Sequence, residues 1–70
     1  MTPFFERLRA VRIYRGKKQR EVAEFLGVNI RTYQYYEEGK NEPAIPVLIR
    51  LADYFDVSLD VLLGRDEWTP

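Results

Sequence analysis

The chain has neither cysteine nor histidine. Without thiols there is no disulfide framework and no thiolate metal site. Without imidazole it lacks the commonest nitrogen ligand and the one side chain whose ordinary pKa lies near neutrality. Most zinc-finger and hydrolase chemistry is thereby excluded, and no metal or cofactor is expected. A glycine-rich phosphate loop is also missing, and the carboxylates follow solvent-type patterns, so an enzyme is not expected. Long apolar runs are absent, and the opening turns already carry Glu6, Arg7, Arg9 and Arg12. Neither a signal peptide nor a membrane span fits that pattern. The expectation is a cytoplasmic protein with no membrane partner and no small-molecule ligand.

What is present suits one small core: 46% of the 70 residues are hydrophobic and 14% aromatic, enough for a single domain. A chain this short buries a modest share of its surface, so self-association would help it, and a homodimer is expected. The formal net charge is zero, yet the two halves differ. Residues 1–40 hold nine basic side chains against five acidic, and residues 41–70 hold two against six. Such a division is compatible with one face turned toward phosphate.

The apolar spacing predicts five helices. Phe4, Leu8 and Val11 lie on one stripe of a first helix over 4–14, opened by Thr2 as a cap and Pro3 at the first helical position, and closed near Gly16. Val22, Ala23 and Leu26 line a second helix over 19–26. Gly27-Val28-Asn29 then leaves room only for a sharp corner, with Asn29 capping a third helix that runs to Glu38. Gly39 closes that helix, and residues 40–43 form a polar loop with a proline exit. A fourth helix over 45–55 places Ile45, Leu48, Leu51, Ala52 and Phe55 inward and tolerates Pro46 in its first turn. Ser58 caps a fifth over 59–63, stopped by Gly64. No alternating strand pattern and no internal repeat competes with an all-helical fold.

Three segments, Gln19 to Val28 (QREVAEFLGV), Tyr33 to Lys40 (YQYYEEGK) and Leu51 to Asp60 (LADYFDVSLD), together with Pro43, resemble the Cro/repressor-type (XRE) helix-turn-helix family. The resemblance covers Phe4 to Gly64, and its specificity comes from the conjunction of the three segments. It implies an all-α, five-helix, phage-repressor-like domain over 1–64, with 65–70 a short tail or the start of a linker. It further implies a sequence-specific double-stranded DNA-binding transcriptional regulator, a repressor by expectation, whose third helix reads the major groove.

Carried over residue by residue, the base-reading positions are Ile30, Arg31, Gln34 and Tyr35. Arg31 suits guanine O6 and N7, Gln34 suits adenine N6 and N7, and Ile30 and Tyr35 suit thymine methyls. Phosphate contacts are expected from Gln19, Asn29 and Lys40, with Lys18, Arg20 and Lys17 adding general attraction. Tyr33 and Tyr36 fall on inward positions. Arg12 and Glu37 match an internal ion pair between the first and third helices. Lys18 and Ala44 stand where relatives commonly carry capping hydroxyls, so the second and fourth helices are expected to lack side-chain caps. Val61, Leu62 and Trp68 are the expected dimer interface. The competing reading is a protein-interaction module on the same fold, an antitoxin or adaptor with little DNA binding; zero net charge and bulky Tyr35 favour it, whereas Gln19, Asn29 and Arg31 oppose it.

Overall fold

A computed structural model describes all 70 residues and contains five helices: α1 (Phe4–Tyr14), α2 (Gln19–Leu26), α3 (Ile30–Glu38), α4 (Ile45–Phe55) and α5 (Leu59–Leu62). Every helix contributes to one core. Leu8 and Val11 come from α1, Val22, Ala23 and Leu26 from α2, Tyr33 and Tyr36 from α3, Leu51, Ala52 and Phe55 from α4, and Leu62 from α5. Each fully buried Leu, Val or Phe contributes about 1.5–3 kcal/mol relative to exposure.

The corner between α2 and α3 follows from three residues. Gly27 takes a left-handed conformation, φ 73°, which would cost an L side chain about 1–2 kcal/mol. That turn lets the Val28 amide reach back to the Ala23 carbonyl at 3.1 Å. Asn29 then reopens the helix, its Oδ1 accepting from the Thr32 amide at 2.8 Å. Ser58 does the same for α5, accepting from the Val61 amide at 3.0 Å.

Three details depart from the sequence reading. Pro3, not Thr2, is the capping residue of α1, without a side-chain hydrogen bond; the Thr2 amide instead donates to the Gly64 carbonyl at 3.2 Å. The Lys18 side chain offers no acceptor, but the start of α2 is not bare, because the Lys18 amide donates to Glu21 Oε1 at 2.9 Å. Ile45, placed on the inner stripe of α4, is 69% exposed. Its helical phase is right, but the first turn overhangs the body: Ala44, Ile45 and Pro46 are all exposed, and burial on α4 is complete only from Leu51.

Four arginines direct donors onto other parts of the chain, Arg7 and Arg12 from largely covered positions and Arg15 and Arg50 from exposed ones. Arg7 is buried and donates from Nη1 to the carbonyls of Val61 and Asp66. Arg15 donates to the carbonyls of Phe55 and Asp56 at the end of α4, and Arg50 to those of Phe25 and Leu26 at the end of α2. The carbonyls that Arg15 and Arg50 meet lie at helix C-termini, where they lack intrahelical partners and carry the negative end of a helix dipole. Of those that Arg7 meets, Val61 also accepts from the Gly64 amide and Asp66 lies outside any helix. Arg12 joins α1 to α3 through Glu37.

Candidate nucleic-acid interface

The site is built on α3, a nine-residue helix with two unlike sides. Tyr33, Tyr36 and Glu37 are buried, Arg31 and Glu38 are exposed, and Ile30, Gln34 and Tyr35 lie between. Of the four reading positions named from sequence, Arg31 stands fully outward. Gln34 and Tyr35 keep part of their surface free. Ile30, three residues before Tyr33, packs partly against the core and so has less to offer a partner.

The Arg31 guanidinium lies 5.8 Å from the Tyr35 ring centre, and the Lys40 ammonium lies 5.5 Å from the same ring. Contacts of this kind contribute about 0.5–1 kcal/mol at exposed sites. Two cations thereby lie within about 6 Å of the centre of one aromatic ring on α3.

Beneath them, Glu37 anchors the helix. Arg12 donates to both of its oxygens, Nε to Oε2 and Nη2 to Oε1 at 3.0 Å, and sends Nη1 to the Lys17 carbonyl at 2.9 Å. The Tyr33 hydroxyl also donates to Oε2. Gln19 Nε2 donates to Oε1 at 3.1 Å, and Gln34 Nε2 donates to Gln19 Oε1 at 3.4 Å. Arg12 and Glu37 side chains are only 11% and 3% exposed. Burial by itself would raise the Glu37 pKa, but hydrogen bonds from Arg12, Tyr33 and Gln19 outweigh it and hold the carboxyl below its ordinary value. Its hydrogen bond to Glu37 raises Arg12. Tyr33 is driven far above the usual phenol value, first by burial and then by its bond to the carboxylate.

The phosphate candidates divide differently than the sequence suggests. Lys18, Arg20, Asn29 and Lys40 are exposed, with Lys40 3.2 Å from Glu38. Asn29 has its oxygen occupied by the cap, leaving its amide nitrogen. Lys17 is half-buried, 5.7 Å from the Tyr54 ring centre. Gln19 turns its side chain inward; what it keeps for an anion is a backbone N–H in the first turn of α2, which has no intrahelical partner.

Of the three residues expected at a dimer surface, Leu62 is corrected, while Val61 and Trp68 are half-exposed. Leu62 is completely buried within its own chain, because a one-turn α5 sends its innermost side chain into the core. The Val61 carbonyl is taken by Arg7. Trp68 folds back so that its ring meets Tyr14 edge-on at 5.4 Å, with the Arg7 guanidinium 6.0 Å from the ring centre. The exposed large apolar side chains are elsewhere and include Ile13, Ile45 and Ile49.

Sequence reasoning missed the chain from Glu37 through Gln19 to Gln34. One part was available: Tyr33 and Glu37 are four apart on α3, a spacing that brings side chains together. The meeting of Gln19 with both Glu37 and Gln34 depends on how α2 crosses α3, which no local pattern encodes.

A family model described as "Helix-turn-helix" matches residues 8–62. A prophage-derived, uncharacterised HTH-type transcriptional regulator of Bacillus subtilis, YonR, is 42% identical over 60 residues, covering 86% of this chain and 56% of that protein. A cryptic phage CTXphi transcriptional repressor of Vibrio cholerae, RstR, is 35% identical over 60 residues, covering 86% and 54%. The crystal structure of a transcriptional regulator from Listeria innocua superposes with a TM-score of 0.83 at 41% identity, covering 94% of this chain and 62% of that one. This chain therefore spans about half the length of these two curated relatives. With the matching segments, the five-helix architecture and the α2–α3 corner in agreement, the chain belongs to the XRE-type helix-turn-helix family.

Proposed function

We propose that this chain is a sequence-specific, double-stranded DNA-binding transcriptional regulator, acting as a repressor, that reads the major groove with the outer side of α3. The observation that carries the reading is the outer side itself. Arg31 is exposed beside Tyr35 and Lys40, and Gln34 keeps free polar atoms, on a helix whose inner side is locked by the Arg12–Glu37–Tyr33 cluster. Rigid placement matters because a bidentate contact tolerates little error, and each good one contributes about 1–3 kcal/mol of discrimination. The repressor name of the cholera phage relative supports the direction of regulation.

In this reading Arg31 and Gln34 are the principal base readers, with Tyr35 and the free part of Ile30 against thymine methyls. Lys18, Arg20, Asn29, Lys40 and the Gln19 amide engage phosphates. Two copies related by a two-fold axis would place their reading helices about 34–36 Å apart, one turn of the duplex. Homodimer formation is checked by cross-linking across a range of protein concentrations.

Selection from a random duplex pool at two salt concentrations, followed by sequencing, tests the function. An enriched, pseudo-palindromic site is expected. Failure to enrich any sequence, combined with weak binding that ignores salt, would instead favour a protein-interaction module. Arg31→Ala should relax preference at one base position, whereas Lys18→Ala should weaken all sequences alike.

A further inference from the structure

We propose that Glu37 is a positioning residue for base recognition, fixing through Gln19 which way the Gln34 amide faces. The inference rests on Gln34 being a base reader, as proposed above. A glutamine amide has an acceptor end and a donor end of almost the same shape, so its polarity is decided by its neighbours. Glu37, paired with Arg12 through both oxygens, is a carboxylate and can only accept. Four donors converge on it, two from Arg12 and one each from Tyr33 and Gln19.

Gln19 must therefore turn its nitrogen to Glu37, and its oxygen is left facing Gln34. Gln34 in turn must point a donor at that oxygen, at 3.4 Å; the reverse orientation would set oxygen against oxygen. The consequence is a reading amide with one N–H committed inward and a defined side on which its oxygen acceptor lies. Such a fixed acceptor welcomes the N6 donor of adenine but meets guanine O6 as a second acceptor. A freely turning amide could offer guanine its nitrogen instead. Fixed polarity thus converts a group that tolerates either purine into one that separates them. Specificity arises here from a buried charge that touches no base.

The test compares wild type, Gln34→Ala, Gln19→Lys and Glu37→Gln on duplexes carrying adenine or guanine at the position that Gln34 governs, chosen from the selected site. Wild type should prefer adenine by roughly tenfold or more, within the range for a good bidentate contact, and Gln34→Ala should erase that preference. Gln19→Lys still donates to Glu37 but gives Gln34 no acceptor. Its adenine-to-guanine ratio should fall to within about twofold to threefold, losing most of the bidentate discrimination. Glu37→Gln should lose discrimination likewise, and because it also weakens the pair with Arg12, Gln19→Lys keeps the test open if that variant fails to fold.

The side-chain amide spectrum of the free protein supplies a readout that mere loss of stability does not move. The two Gln34 Nε2 protons should be well separated in wild type and collapse toward free-amide values in a folded Gln19→Lys variant. An unchanged purine ratio in Gln19→Lys, with Gln34→Ala effective, overturns the proposal while leaving the reading face intact. No effect of Gln34→Ala overturns both.

Discussion

At the residue scale, Glu37 makes the sharpest claims because its four hydrogen bonds are nearly shut off from water. Arg12→Ala leaves that carboxylate buried without its cation, which costs about 3–5 kcal/mol; urea unfolding measures it, and a loss under about 1 kcal/mol would mean that water enters to replace the guanidinium. The same cluster shapes stability against pH. Glu37 is held below its ordinary value of 4.5, so its contribution is complete above that pH and is lost as pH falls through the lower folded value. Tyr33 is raised from 10.0, so its contribution is complete below that pH and is lost as pH rises beyond it. Stability should therefore decline below pH 4.5 and again above pH 10, and Glu37→Gln should flatten the acid side while Tyr33→Phe flattens the alkaline side. The sequence made Arg12 and Glu37 legible as partners through the family pattern. It did not disclose Gln19 as the fourth donor, since a glutamine at a helix start looks the same whether it faces solvent or a neighbouring helix.

At the scale of elements, helix limits were legible wherever the signal was local. Asn29 and Ser58 cap as their chemistry dictates, and Gly27 turns the corner that its position between two apolar stripes implies. What local patterns could not show was tertiary: the overhang of α4 that strands Ile45 in solvent, and the arginines that close helix ends from across the fold. Arg50 donates to two carbonyls at the end of α2 and lies 4.9 Å from the Phe25 ring centre. Because it is solvent-exposed, Arg50→Ala should cost only about 1–2 kcal/mol. The loss should appear as faster amide exchange at Gly27 and Val28, and exchange that quickens uniformly along the chain would refute a local role. Gly64 joins the two ends of the domain more strictly. It has φ +80°, and an added Cβ would lie 1.8 Å from the Thr2 carbonyl oxygen, so Gly64→Ala combines a left-handed penalty with backbone displacement. A cost of at least about 2 kcal/mol is expected, read as a fall in melting temperature.

At the scale of the whole molecule, eleven basic and eleven acidic residues cancel, yet cancellation says little about the field a duplex would meet. The basic excess of the first forty residues was legible as a count; its division was not. Arg7, Arg12 and Arg15 belong to that excess but spend donors on backbone carbonyls or on Glu37, Arg15 while still exposed, whereas Lys18, Arg20, Arg31 and Lys40 are exposed around the α2–α3 unit with side chains that bond no carbonyl. Binding to phosphate releases condensed counterions, so affinity falls with salt at a slope of about 0.9 per phosphate neutralised. Lys18→Ala and Arg20→Ala should each flatten that slope by about one. Arg15→Ala removes the same formal charge, but one whose Nε–H already meets the Phe55 carbonyl at 2.8 Å, and it should lower stability while leaving the slope unchanged. Titrating each variant against the same duplex between low and moderate salt separates the two classes. If Arg15→Ala flattened the slope as much as Lys18→Ala, attraction would be set by overall charge rather than by the cations the fold leaves free, and the assignment of a phosphate-facing side would fail.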